Sequence, residues 1–166
     1  MASTHLVDVE EYLHSTFEHD AEYVEGRVVP RSSPKKPHSK MQTFLTKELC
    51  NQAESSGYQV WVEQQIRTQE FRPRYRIPDI CVTWGEPEED IFIDPPFLCV
   101  EILSPDDSAV DLRIKVEEYL TMGVSFVWVV DPIALAGEIY TPGGIERVRD
   151  GKFQAADFIV NVAGLR

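Results

Sequence analysis

Two acids on apolar strands and a lysine on the helix that follows are the side chains of this sequence best suited to chemistry. Asp79 lies in Ile77-Pro78-Asp79-Ile80, where an apolar strand opens, and Glu101 lies inside Phe97-Leu98-Cys99-Val100-Glu101-Ile102-Leu103. Carboxylates on otherwise buried strands are costly unless paired, hydrogen-bonded or holding a metal. Asp111-Leu112-Arg113-Ile114-Lys115 then begins a helix that runs toward Gly123. Two such acids and a lysine are the parts of a metal-dependent phosphodiesterase. Mg²⁺ takes oxygen ligands and keeps several waters, and a bound metal both generates hydroxide and shields phosphate charge.

Strand alternation tests whether the acids can meet. Asp79 and Cys81 share one face, Ile80 and Val82 the other; Cys99, Glu101 and Leu103 share one face, Leu98, Val100 and Ile102 the other. If the two strands are neighbours, both carboxylates project from the same face, and they repel unless a cation or a proton lies between them. Plainer roles remain open. Asp79 suits a strand start where it binds local backbone amides. Lys115 follows Asp111 by four residues, the orientation of a helical ion pair; its stem can equally run along the core and deliver the ammonium to the sheet edge. Glu63, on the Trp61 and Gln65 side of its strand, is a further metal or water ligand or a solvated residue. Glu22 and His38 are supporting candidates, His38 as a phosphate contact or as an ordinary loop residue.

The elements that position these groups follow from periodicity and caps. A short helix is expected over 7–16, capped by Asp8 with Glu11 three residues on. Two strand pieces over 22–29 turn at Glu25-Gly26. A Pro-, Ser- and Lys-rich loop precedes a second helix that starts at Ser39, buries Met41, Phe44, Leu45 and Leu49, and ends at Ser55-Ser56-Gly57. Residues 58–67 read as a strand, 71–76 as a basic turn, 76–84 as the next strand and 85–96 as an acidic loop. Strand 97–103 is central by its near-continuous apolar character. The following helix turns Leu112, Val116, Tyr119 and Leu120 inward, and Gly123 suits its C′ position. Residues 125–131 form another buried strand stopped by Pro132, 139–146 a hairpin, and 158–162 a last short strand. This order implies one α/β domain over 1–166: a mixed sheet flanked by helices, with a parallel crossover from 97 to 131 and an additional hairpin region.

Composition narrows the function classes. The chain has 166 residues, 43% of them hydrophobic, enough for one core without staples. Its net charge is −12, which opposes tight nonspecific nucleic-acid binding. A phosphate track would have to come from two basic windows. One holds Arg27, Arg31, Lys35, Lys36, His38 and Lys40; the other holds Arg67, Arg72, Arg74 and Arg76. Cys50, Cys81 and Cys99 are odd in number and far apart, which fits reduced thiols in a cytoplasm. No secretion signal and no bilayer-length apolar run is expected. His5, His14, His19 and His38 all precede residue 39, so a serine- or cysteine-based triad has no local support.

An ordered series of segments carries a family resemblance. It runs through Glu22-Tyr23-Val24-Glu25-Gly26, Pro37-His38-Ser39, Arg76-Ile77-Pro78-Asp79-Ile80, Val100-Glu101-Ile102-Leu103-Ser104-Pro105, Asp111 with Lys115 and Tyr119, Gly123-Val124, and Val127-Trp128-Val129-Val130-Asp131-Pro132. From about residue 7 to about residue 150 the chain resembles the Uma-type restriction endonuclease family, a bacterial group of the PD-(D/E)XK nuclease superfamily. The resemblance implies a restriction-endonuclease-like core with an acidic site at one sheet edge. It implies Asp79 as the acid of the PD motif and Glu101 as the second acid. The superfamily lysine position, two residues past Glu101, holds Leu103, and the resemblance implies that Lys115 on the following helix replaces it. Mg²⁺, or Mn²⁺, would be held by Asp79 and Glu101, with Glu63 as a further ligand. Lys115 would orient or help deprotonate the attacking water, leaving a strand with a 5′-phosphate.

Three functions therefore compete: a metal-dependent DNA endonuclease, a nucleic-acid-associated protein that keeps the fold with little activity, and an interaction domain whose acids are structural. For the endonuclease the expected partner is DNA, contacted by Arg31, Lys35, Lys36, Lys40, Arg74 and Arg76. A homodimer is expected as well, because duplex cutting needs two sites, with the hairpin near Ile139 and Tyr140 as its surface.

Overall fold

The computed structural model describes residues 6–17 and 20–165; His5 and His19 lie outside them. A six-stranded mixed sheet has the order β10-β9-β8-β7-β6-β3. Its members are β3 (Tyr58–Val62), β6 (Ile80–Trp84), β7 (Leu98–Ile102), β8 (Phe126–Asp131), β9 (Ala136–Thr141) and β10 (Gly144–Val148). β7 and β8 are parallel, joined by helix α3 (Ala109–Met122), and the other pairs are antiparallel. A second, four-stranded sheet has the order β2-β1-β5-β4, built from β1 (Ala21–Val24), β2 (Arg27–Pro30), β4 (Ile66–Gln69) and β5 (Arg74–Arg76). A hairpin of β11 (Lys152–Ala155) and β12 (Phe158–Asn161) completes the strands.

Two apolar layers enclose the large sheet. On one face Ile80, Val82, Leu98, Val100, Trp128 and Val130 pack under Met41, Leu45 and Leu49 of α2 (Lys36–Ala53) and under Phe153 and Val160 of the β11–β12 hairpin. On the other face Cys81, Cys99, Val127 and Val129 pack under Val116 and Tyr119 of α3. A smaller cluster of Tyr12, Tyr23 and Tyr75 joins α1 (Val9–His14) to the second sheet. Every residue of β7 is buried, which explains why its sequence lacks polar alternation apart from Glu101. Helix α3 starts where Ser108 accepts from the Asp111 N–H and stops at Gly123. There φ is +114°, and the Gly123 N–H reaches back to the carbonyls of Tyr119 and Leu120. A left-handed residue costs an L side chain strain that glycine avoids.

Several boundaries depart from the sequence expectation, each for a local reason. α1 covers Val9–His14, shorter than 7–16, with the Asp8 carboxylate accepting from the Glu10 N–H at 2.9 Å. α2 begins at Lys36 rather than Ser39, because Pro37 occupies its first turn, where a missing N–H costs nothing. The expected strand 58–67 is two strands in different sheets, broken at Glu63, whose φ is +53°. The basic turn expected over 71–76 contains β5, and the expected strand 76–84 is interrupted at 77–79 as the chain passes between sheets. The last strand has a partner in β11 that the sequence pattern did not reveal. Ile139 of the hairpin is buried against the core and offers no docking surface; Ile145 on β10, which pairs with Tyr140, is exposed. Among the described residues no helix is long and apolar enough to cross a membrane.

Candidate active site

The junction between the two sheets gathers the predicted acids and lysine. β5 ends at Arg76, Ile77-Pro78-Asp79 crosses over, and β6 starts at Ile80. β6 pairs with β7 through Ile80↔Val100 and Cys81↔Cys99, so Asp79 emerges beside the end of β7 that carries Glu101 and Ile102. Cys81 and Cys99 lie in the α3-side layer, the face that alternation assigns to Asp79 and Glu101. They are free thiols, and burial pushes Cys81 up to about 12.

Each charged group is tightly held. Asp79 Oδ2 accepts from the Ile102 N–H at 2.7 Å, while Oδ1 accepts from Arg31 Nη2 at 2.7 Å and lies 3.2 Å from His38 Nε2. Glu101 Oε1 accepts from the Tyr119 hydroxyl at 2.6 Å, and Oε2 accepts from Lys115 Nζ at 3.2 Å. Lys115 and Tyr119 are one helical turn apart on α3, which turns both onto the same carboxylate. Lys115 therefore takes the second of its two sequence options and reaches the sheet, where it also meets Glu22 Oε1 at 3.0 Å. Glu22 is fixed in turn by the Ile77 N–H at 3.0 Å and by Arg76 Nη1 at 3.0 Å.

Burial dominates the electrostatics of Glu101. It pushes the carboxyl up to about 7, with Asp79 and Glu22 adding to the rise and Lys115 and Tyr119 opposing it. Burial also works against the Lys115 ammonium, but Glu101 and Glu22 outweigh it and hold the amine above its ordinary value. The same contest raises His38, where burial is outweighed by Asp79. Around these groups is a pocket of about 580 Å³ lined by Glu22, Arg31, His38, Asp79, Glu101 and Lys115 among others. A larger groove of about 1010 Å³ runs along the β9–β10 hairpin, away from this cluster.

The remaining candidates are placed differently. Glu63 stands beside Asp79, whose carbonyl accepts from the Glu63 N–H at 3.2 Å, but its carboxylate is 3.8 Å from Arg31 Nη1 and 3.4 Å from Gln42 Nε2 and does not line the pocket; Glu22 does. Arg74 and Arg76 do not form a solvated phosphate track. Glu118 of α3 accepts from Arg76 at 2.7 and 2.8 Å and also from Arg74, and Arg74 donates to Glu25 at 2.7 Å. Lys35, Lys36 and Lys40 are exposed at the start of α2, and Lys40 Nζ donates to the Leu165 carbonyl at 3.2 Å. His38 is a buried residue of α2, not a loop residue. Sequence inspection missed Tyr119 and Arg31 as carboxylate partners and Glu118 as the anchor of both arginines. The four-residue spacing of Lys115 and Tyr119 was a usable signal for the first; the ion pairs join residues 42 or more positions apart and left none.

The donor set fits a hard divalent cation that keeps part of its water shell. Among the described residues no three His, Cys, Asp or Glu side chains form a ready-made cage. An ionised carboxylate offers about four acceptor directions. Three are engaged at Asp79 and two at Glu101, so neither acid has all its acceptor directions filled. One or two carboxylates plus water is the usual protein share of a Mg²⁺ shell.

Comparison with known proteins agrees with this architecture. The sequence model of the Uma2 family, described as "Putative restriction endonuclease", matches residues 9–161. A crystal structure from Anabaena variabilis, titled as a putative nuclease belonging to DUF820, superposes with a TM-score of 0.83. It is 23% identical and the match covers 96% of this chain and 97% of that one, which establishes a shared restriction-endonuclease-like fold. No curated protein matches.

Proposed function

We propose, from the premise that this chain belongs to the Uma2 family, that it is a metal-dependent endonuclease hydrolysing DNA phosphodiester bonds. One observation carries this: Lys115, on a helix after β7, donates to Glu101 at 3.2 Å in the pocket that Asp79 also lines. Asp79 and Glu101 would hold Mg²⁺ or Mn²⁺, which supplies a nucleophilic hydroxide and neutralises phosphate charge. Glu63, 3.8 Å from Arg31 Nη1, would act through that arginine or through a bound water. Lys115 keeps its proton beside two carboxylates, so its work is to donate hydrogen bonds to the attacking water and to the charge that grows on phosphate oxygens. It is a poor base. Glu22, held by Arg76 and the Ile77 N–H, fixes the direction of the ammonium. Exposed Lys35, Lys36 and Lys40, at the start of the helix that carries His38, supply local attraction for the DNA backbone against the net charge of −12. Two copies would make a double-strand cut, with the open edge strand β10 and Ile145 as the meeting surface.

One observation favours a second reading, a nucleic-acid-associated protein with little activity. The Arg31 guanidinium already pairs with Asp79, and His38 stands 3.2 Å from the same oxygen, where a metal would bind. Plasmid nicking separates the two. Mn²⁺-dependent nicking by the wild type that is lost in Asp79→Asn, Glu101→Gln and Lys115→Met supports the endonuclease; DNA retention without nicking at any metal concentration supports the second.

A further inference from the structure

Arg31 is the group at this pocket best placed to move. It follows β2 in a stretch, 31–35, that has no regular structure, and its side chain is 18% exposed. Its hydrogen-bonded carboxylate is Asp79, through Nη2 at 2.7 Å; Nη1 stands 3.8 Å from Glu63 and 4.0 Å from Asp20, too far for hydrogen bonds. His38 shares the same Asp79 oxygen but is a buried residue of a regular helix. A cation bound at Asp79 and a guanidinium bonded to the same oxygen would repel strongly in so buried a place. Guanidinium geometry suits a phosphate as well as a carboxylate.

Resting on the endonuclease reading, we propose that Arg31 changes partners: it holds Asp79 in the metal-free protein, is displaced when a divalent cation takes that carboxylate, and then binds the scissile phosphate of DNA. Arg31 is thus both a competitor of the metal and a binding residue for the substrate. The two roles predict effects of opposite sign when it is removed, which a merely structural ion pair does not.

Calorimetry with Mn²⁺ alone tests the first role, and binding of a short duplex DNA in Ca²⁺ tests the second. Arg31→Gln should tighten Mn²⁺ binding by about tenfold, the change expected when a charge-assisted hydrogen bond no longer competes. The same variant should weaken DNA binding by about fivefold or more, as one phosphate contact is lost. Arg27 lines the same pocket without a bond to Asp79, so Arg27→Gln controls for charge alone and should shift Mn²⁺ affinity by less than about twofold in physiological salt. Arg31→Lys, which keeps the charge and loses the planar fork, should fall between wild type and Arg31→Gln, and serves if the glutamine variant folds poorly. Mn²⁺ affinity in Arg31→Gln that is unchanged, weaker, or no different from Arg27→Gln overturns the partner exchange while leaving the metal site standing. Absence of Mn²⁺ binding in every protein overturns the metal site itself, and the exchange with it.

Discussion

Metal binding at the buried acid pair should release a proton, and its strength should follow pH. Glu101 is pushed up to about 7, first by burial and then by Asp79 and Glu22. A metal needs the carboxylate, so any proton on Glu101 must leave when the cation binds. With that value about nine-tenths of the protein carries the proton near pH 6 and about one-tenth near pH 8. Mn²⁺ should therefore bind about tenfold more weakly near pH 6 than near pH 8, with close to one proton released per ion at the lower pH and almost none at the higher. Isothermal titration in two buffers of different ionisation enthalpy counts those protons directly. His38 also faces Asp79, and its raised imidazole could add to the count; His38→Gln should leave the Glu101 contribution in place. Binding of Mn²⁺ with equal affinity at both pH values and no proton released in the His38→Gln protein would refute the reasoning, because the acid would then be charged throughout.

Other perturbations test the scaffold. Arg76 is buried between Glu22 and Glu118, so Arg76→Leu should lower unfolding stability by about 3–5 kcal/mol in urea, since it leaves buried carboxylates uncompensated; a loss below about 1 kcal/mol would mean that water compensates them. Burial opposes ionisation of Glu118, but Arg76 and Arg74 outweigh it and hold the carboxyl below its ordinary value. Its contribution is therefore full above the unfolded carboxyl range, near pH 4, and is lost as pH falls through the lower folded value. Glu118→Gln should flatten that part of the acid-unfolding curve. Gly123→Ala should cost about 1 kcal/mol through strain at φ +114°, read as a lower Tm with unchanged metal affinity.

The parts of this protein that were legible in its sequence are those fixed by local pattern. β7 announced itself by an unbroken apolar run around one acid, and α3 by its inward stripe and Gly123. Period-two alternation assigns Asp79 and Glu101 to one face, and the Cys81↔Cys99 pairing brings the neighbouring residues of that face side by side. What was hidden depends on distant partners. Arg74 and Arg76 look like a solvated basic patch until α3 brings Glu118 between them. Arg31 lies 48 residues from Asp79, and nothing local to either announces the bond. The split of one expected strand into β3 and β4 turns on a positive φ at Glu63, a residue type that gives no warning of it.

A crystal structure of the wild type soaked with Mn²⁺, with anomalous data, tests the central claim most directly. A single ion bound by the carboxylates of Asp79 and Glu101, with water completing its shell and Lys115 still beside Glu101, is the predicted result. An ion bound elsewhere, or an empty pocket at Mn²⁺ concentrations well above the affinity measured in solution, would contradict it.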